Sequence, residues 1–154
     1  MNRVSRFFCA ALCIAVFFFF AASLSYGKDD FVKPKEFGFY VKTDKGLKRL
    51  VPNIVFDEKG LLYIELNNPP RFLLKDVQFF VLYGKYDLKV LTLNPMLFLK
   101  PSPLGKQRYI FGKEIAYDIK KRSDDLYVIK SKELLGRGYT SFWINDSAWD
   151  FIIE

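Results

Sequence analysis

The chain has 154 residues and no histidine, and its two cysteines, Cys9 and Cys13, both lie near the N-terminus. Beyond them there is neither thiol nor imidazole, which excludes Ser-His-Asp and Cys-His catalysis and the usual zinc ligand sets. The formal net charge is +7, but the two signs alternate along the chain rather than forming a basic stripe, so no nucleic-acid partner is expected.

The N-terminus has the pattern of a secretory signal peptide. Two arginines precede an unbroken apolar run over residues 7–22, and small residues follow as far as Gly27. This order directs a chain into the export machinery and is then removed. The sequence predicts a signal peptide over residues 1–27, cleaved after Ser25 or Gly27, and an exported protein that is periplasmic or secreted. A retained N-terminal membrane anchor is the alternative, and it would then be the membrane contact.

Removal of this segment changes what the rest of the chain contains. It takes away both cysteines and two of the 24 basic residues, which leaves 127 residues with a net charge of +5. A disulfide framework is therefore excluded, and a chain of this length is enough for one ordinary domain. We predict a short lead-in or tether over residues 28–35 and a single domain over residues 36–154.

Period-two patterns dominate the predicted domain. Apolar and polar side chains alternate over residues 37–41, 62–66 and 115–119, whereas residues 77–83 are apolar on both sides. Alternation indicates a strand with one buried face, and a doubly apolar run indicates a more deeply covered strand. Turn signals rich in Gly, Asn, Asp and Pro separate the runs at short intervals. We predict an all-β, antiparallel β-sandwich of the immunoglobulin-like, Greek-key type.

The C-terminal third carries the clearest local signal. Tyr139 leads into a strand over residues 140–144, a turn over residues 145–147 and a last strand over residues 148–153. A glycine and a leucine just before a strand-initial tyrosine are typical of a tyrosine corner, in which the phenol bonds backward to the backbone. A plain hairpin with an aromatic residue at its start is the alternative.

The same hairpin holds the candidate site. Asp146 and Asp150 flank the last turn beside Trp143 and Trp149, so together with Tyr139 they form a candidate surface for a ligand or partner. Calcium requires six or more oxygen ligands, which two acids do not supply. We therefore expect no metal site, no cofactor and no catalytic residues.

Three tyrosines are expected on the solvent side of their strands. Tyr40, Tyr63 and Tyr127 alternate with apolar neighbours, and exposed rings of this kind stack on sugars or dock a protein partner. The alternative is that they form cross-strand pairs that cover the outer face of the sheet.

These features favour binding over catalysis. We predict an exported, non-enzymatic binding or structural module of the cell envelope that acts through protein–protein contacts. Its partner is an envelope protein or a glycan that the sequence does not identify. The alternative is a lectin-like carbohydrate-binding protein, or a small glycoside hydrolase that uses a pair of carboxylates.

Overall fold

The computed structural model describes residues 31–154, and residues 33–154 form one compact unit. This part of the chain is built from short strands, with one 3-10 turn at Leu74–Asp76. The predicted signal peptide lies outside the described residues. The predicted lead-in starts outside them as well, and its described residues 31–35 carry no strand.

One sheet has five strands in the order β10-β11-β7-β1-β2, and all its pairs are antiparallel. The strands are β1 (Gly38–Thr43), β2 (Gly46–Arg49), β7 (Phe79–Tyr83), β10 (Tyr117–Ser123) and β11 (Leu126–Ser131). The doubly apolar segment forms β7 at the centre of this sheet, where four of its five residues are buried. The expectation of a deeply covered strand is confirmed.

The other sheet has seven strands in the order β3-β13-β12-β8-β9-β5-β4, and an eighth, β6, pairs with β13 in parallel. The strands are β3 (Pro52–Ile54), β4 (Phe56–Glu58), β5 (Leu61–Glu65), β6 (Arg71–Phe72), β8 (Thr92–Leu99), β9 (Arg108–Phe111), β12 (Gly138–Ile144) and β13 (Ser147–Ile153). Apart from the β6–β13 pair, its pairings are antiparallel.

Large aromatic side chains from both sheets share the main core. Phe39 and Phe80 of the five-stranded sheet lie against Phe142 of β12, with ring centroids 5.0 and 4.9 Å away, and Phe39 also contacts Trp149 of β13. All four are nearly or fully inaccessible to solvent. Because the described chain has no disulfide, this apolar burial is the main source of its stability.

The β12–β13 hairpin buries its second face too. Strand β8 pairs with β12 up to Pro95 and with β9 from Met96 onward. Proline has no amide hydrogen to donate to a strand ladder, so Pro95 fits the position at which β8 changes from one partner strand to the other. The sheet thereby folds back, and β5 approaches β3, where the Asn53 side chain donates to the Glu65 carbonyl at 2.8 Å. A second apolar cluster lies on this side: Ile64, Met96, Tyr139 and Ala148.

The all-β, antiparallel class predicted from the sequence is confirmed. The predicted strands 37–41 and 62–66 correspond to β1 and β5 within a residue or two at each end. The strand predicted over 115–119 begins instead at Tyr117, because the amide of Ile115 donates to the Leu93 carbonyl of β8 at 2.7 Å and not to β11, the partner of β10. Lys59 and Asn145 take positive φ in the hairpin turns predicted there.

Candidate functional site

The C-terminal hairpin brings two of the predicted site residues together. The two-residue turn at Asn145 and Asp146 sets the register so that Ser141 lies opposite Asp150. Tyr139 is two positions from Ser141, so its side chain is on the same face and diagonal to Asp150. The Tyr139 hydroxyl donates a hydrogen bond to Asp150 Oδ2.

This contact corrects the predicted tyrosine corner. In a corner the phenol bonds backward to the backbone, whereas Tyr139 bonds forward, across the hairpin, to a side chain 11 residues later in the chain. The reason is the register of the hairpin, which places a carboxylate within reach of the phenol. Gly138, just before Tyr139, has φ of +129°, so the preceding loop turns sharply without forming a corner.

The pair lies in an apolar environment. Asp150 is only 4% exposed and Tyr139 is buried in the second apolar cluster. Burial raises the pKa of the Asp150 carboxyl above its ordinary value, although hydrogen bonds from Tyr139, its own backbone amide and Asn53 oppose the rise. Burial, and then the charge of Asp150, raise the pKa of Tyr139. The phenol therefore stays protonated and acts as a donor.

No basic side chain neutralises this carboxyl within the described residues: the ion pairs found among residues 31–154 leave Asp150 out. Buried acids are usually paired, because an isolated buried charge is costly. The arrangement therefore holds a hydrogen-bonded carboxyl without a counter-charge.

The other predicted site residues do not join this pair. Trp149 lies on the opposite face of β13 and is buried in the main core, so it offers no surface to a ligand. Trp143 is partly exposed and stacks on Phe111 with centroids 4.8 Å apart. Asp146 is exposed in the turn. It is four positions from Asp150, about 13 Å of extended chain, which exceeds the carboxylate spacing of glycoside hydrolysis.

The three tyrosines predicted to be exposed behave differently from one another. Tyr40 is 7% exposed, so the expectation is wrong for it: its hydroxyl donates to the Glu36 carbonyl at 2.7 Å, and its cross-strand neighbour Val81 is buried too. Tyr127 is only partly exposed and packs against the main core, which also departs from the expectation. Tyr63 is partly exposed and faces outward. Period-two patterns assign a face to a side chain, but they do not show what covers that face.

Tyr63 belongs to a surface that the sequence did not reveal. The registers place Phe56 of β4 opposite Tyr63 of β5, Tyr63 opposite Ile110 of β9, and Ile110 opposite Leu97 of β8. These four side chains, here called the outer row, cross four adjacent strands on the side away from the second apolar cluster. Phe56 is 37% exposed and Leu97 52% exposed. The outer row is an apolar strip on the surface of the sheet.

Arg108 holds the middle of this surface in place. Its guanidinium lies 5.1 Å from the Tyr63 ring centroid, pairs with Glu58 at 3.1 Å, and donates from Nε to the Lys100 carbonyl at 3.2 Å. These contacts leave Arg108 only 8% exposed. The Phe56 and Tyr63 rings stack with centroids 5.3 Å apart. The two aromatic rings of the outer row therefore contact each other, and Arg108 packs on one of them.

Within residues 31–154, no cluster of three or more acidic side chains suits a metal ion, and no helix is long and apolar enough to cross a membrane. Comparison of the chain with known protein families, with curated proteins and with solved structures found no match. The geometry of the chain itself therefore carries the functional argument.

Proposed function

We propose that this protein is an exported, non-catalytic binding module that holds a protein partner against the outer row. The observation that carries the proposal is the alignment of Phe56, Tyr63, Ile110 and Leu97 across four strands. Solvent-facing sheet positions are normally polar, and contiguous exposed apolar side chains mark interaction sites.

The composition of the surface favours a protein partner over a sugar. Tyr is one of the residue types that dominate binding energy at protein interfaces, and Tyr63 lies partly exposed at the middle of the outer row. The charged groups around the outer row are already paired: Glu58 with Arg108, and Glu65 with Lys106 at 2.8 Å. A sugar would need free polar groups for its hydroxyls, whereas an apolar, uncharged protein surface would not.

The dimensions of the outer row suit the centre of an interface. Four strands at about 4.8 Å spacing make a strip about 14 Å across. Interface hot spots are small central clusters surrounded by weaker contacts that exclude water. We expect the polar side chains beside the outer row to form that rim.

The proposal includes the wider assignments made from the sequence. Export rests on the charged, apolar and small-residue order of residues 1–27, and an immunoglobulin-like β-sandwich is supported by the core that the two sheets share. A glycan site at Trp143, Trp149, Asp146 and Asp150 is less well supported, because Trp149 is buried and the two acids lie at different depths.

Site-specific photocrosslinking in the native envelope tests this function. A photoreactive residue would replace Leu97 in the outer row or, as a matched control, Leu134, which is 91% exposed in a loop elsewhere. We expect position 97, and not position 134, to yield one adduct of defined mass, whose partner mass spectrometry identifies. Purified partner would then bind the wild type but bind Leu97→Asp at least tenfold more weakly.

Two results would contradict the proposal. Equal crosslinking to the same proteins from positions 97 and 134 would show that the outer row has no particular role. Unchanged affinity of the Leu97→Asp protein for the purified partner would show the same. Saturable binding of envelope glycans, abolished by the same substitution, would replace the protein partner with a sugar.

A further inference from the structure

A small cavity lies where β13 changes its strand partner. The pairing of β13 with β3 stops at Trp149, opposite Pro52, and its pairing with β6 starts at Ile152, opposite Arg71, so Asp150 and Phe151 lie between the two partner strands at this edge. The cavity in this gap encloses about 260 Å³, and Asp150 lines it together with Asn53, Asn67 and Asn68.

The walls of the cavity are fixed at both ends. On one side the Asn53 side chain donates to the Glu65 carbonyl at 2.8 Å. On the other, the amide of Ile152 donates to the Pro70 carbonyl at 2.9 Å, and Pro69 and Pro70 restrict the loop that carries them. The cavity is therefore preformed, as binding pockets usually are.

The residues that line the cavity include one acidic side chain and no basic one. Asp150 is nine-tenths or more buried and lacks an ion pair within the described residues, and it shares the cavity with asparagine side chains. The Tyr139 hydroxyl donates a hydrogen bond to the Asp150 carboxyl but carries no charge. The Asn53 side chain is already used, because its oxygen accepts from the Ile54 amide at 2.9 Å and its NH2 group donates to Asp150 and to the Glu65 carbonyl. The Asp150 carboxylate and the amide oxygens of Asn67 and Asn68 can accept hydrogen bonds, and an ammonium group has three to donate.

We propose that this cavity binds a cationic nitrogen group, an ammonium or a guanidinium, which supplies the counter-charge that Asp150 lacks. The volume falls below the range of about 300–1,000 Å³ that holds drug-sized ligands, so the cavity fits one small head group. That group belongs either to a free amine or to the end of a lysine or arginine side chain. The site is separate from the outer row, and the inference does not depend on the proposed function.

Binding is tested with n-propylammonium chloride on purified protein whose aspartate carboxyl carbons are labelled with ¹³C. We expect a saturable shift of the Asp150 carboxyl resonance. The neutral isostere n-propanol, and sodium chloride at equal ionic strength, should leave that resonance in place. The peptide acetyl-Gly-Lys-Gly-amide separates the two sources: tighter binding of the peptide indicates a protein side chain, and tighter binding of propylammonium indicates a free amine.

Two variants complete the test. Asp150→Asn keeps the shape of the side chain and should lower propylammonium affinity at least tenfold, whereas Asp146→Asn, in the exposed turn of the same hairpin, should bind as the wild type does. No shift of the Asp150 resonance in the wild type would overturn the proposal, as would an equal shift with propanol or sodium. Leu97→Asp should leave propylammonium binding unchanged, which separates this site from the outer row.

Discussion

The β12–β13 hairpin and the outer row depart from the usual distribution of side chains in opposite ways. The hairpin buries the Asp150 carboxyl in an apolar cluster, whereas β4, β5, β9 and β8 present apolar side chains to solvent. A buried polar group and an exposed apolar patch are the informative exceptions to ordinary burial. The buried pair affects folding stability directly, but the outer row contributes little to it and is therefore explained better by binding.

The largest loss of folding stability is expected for a substitution in the main core, and the losses in the hairpin and the outer row are compared with it. Phe142→Ala removes a fully buried ring that contacts Phe39 and Phe80, and it should lower the free energy of unfolding by about 3–5 kcal/mol. Urea denaturation measures the change. A loss below about 1 kcal/mol would mean that the two sheets do not share a tightly packed core.

The next largest loss of stability is expected for Tyr139→Phe, which tests the buried hydrogen bond of the hairpin. It leaves Asp150 buried without its hydroxyl donor, so the free energy of unfolding should fall by about 1–3 kcal/mol. The matched control is Tyr109→Phe, whose hydroxyl makes an exposed hydrogen bond with Gln107 and should cost less than about 0.5 kcal/mol. Equal losses in the two variants would contradict the buried bond.

The pH dependence of stability follows from the raised pKa of Asp150. Above its ordinary value of 3.8, the unfolded chain releases a proton that the folded protein still holds. The contribution of Asp150 to the free energy of unfolding is therefore greatest below that value and falls as the pH rises toward the folded pKa, by at most about 1.4 kcal/mol per pH unit.

Comparison with Asp150→Asn isolates this contribution. The amide oxygen still accepts from Tyr139 but does not ionise, so the stability of this variant relative to the wild type should improve as the pH rises through that window. Denaturant unfolding at a series of pH values checks this, with Asp146→Asn as the control. A difference between wild type and Asp150→Asn that does not vary with pH would contradict a raised pKa.

The smallest effect on stability is expected in the outer row. Leu97→Ala removes a side chain that is 52% exposed, so it should lower the free energy of unfolding by less than about 1 kcal/mol. Urea unfolding of the outer-row substitution and of Phe142→Ala under the same conditions measures the difference in stability loss. A loss of unfolding free energy as large as that of Phe142→Ala would show that the outer row is part of the packed core. It would remove the reason to assign the outer row to a partner.

The sequence predicts those features of the fold that depend on residues close together in the chain. Alternation identified β1 and β5, and the continuous apolar run identified β7, because both patterns depend on neighbouring residues alone. The turn at Asn145 also contained enough information to pair Tyr139 with Asp150, since a two-residue loop fixes the register of a hairpin. The predicted site instead joins Asp150 to Trp149, whose side chain points to the opposite face and into the main core.

The outer row depends on pairings that no local pattern contains. Tyr63 and Ile110 are 47 positions apart, and their strands meet because β8 changes partner at Pro95 and folds the sheet back. The burial of Tyr40 is non-local in the same way. Sequence patterns therefore predicted the fold class, whereas the Tyr139–Asp150 bond and the surface that best supports a function required the strand pairings.

The affinity of the identified partner for two leucine variants tests the central claim most directly. Calorimetry would compare Leu97→Ala with Leu134→Ala, a substitution of the same size at a more exposed position. We predict a dissociation constant at least tenfold higher for Leu97→Ala and an unchanged constant for Leu134→Ala, with both proteins stable. Equal dissociation constants for the two variants would contradict the assignment of the outer row as the binding surface.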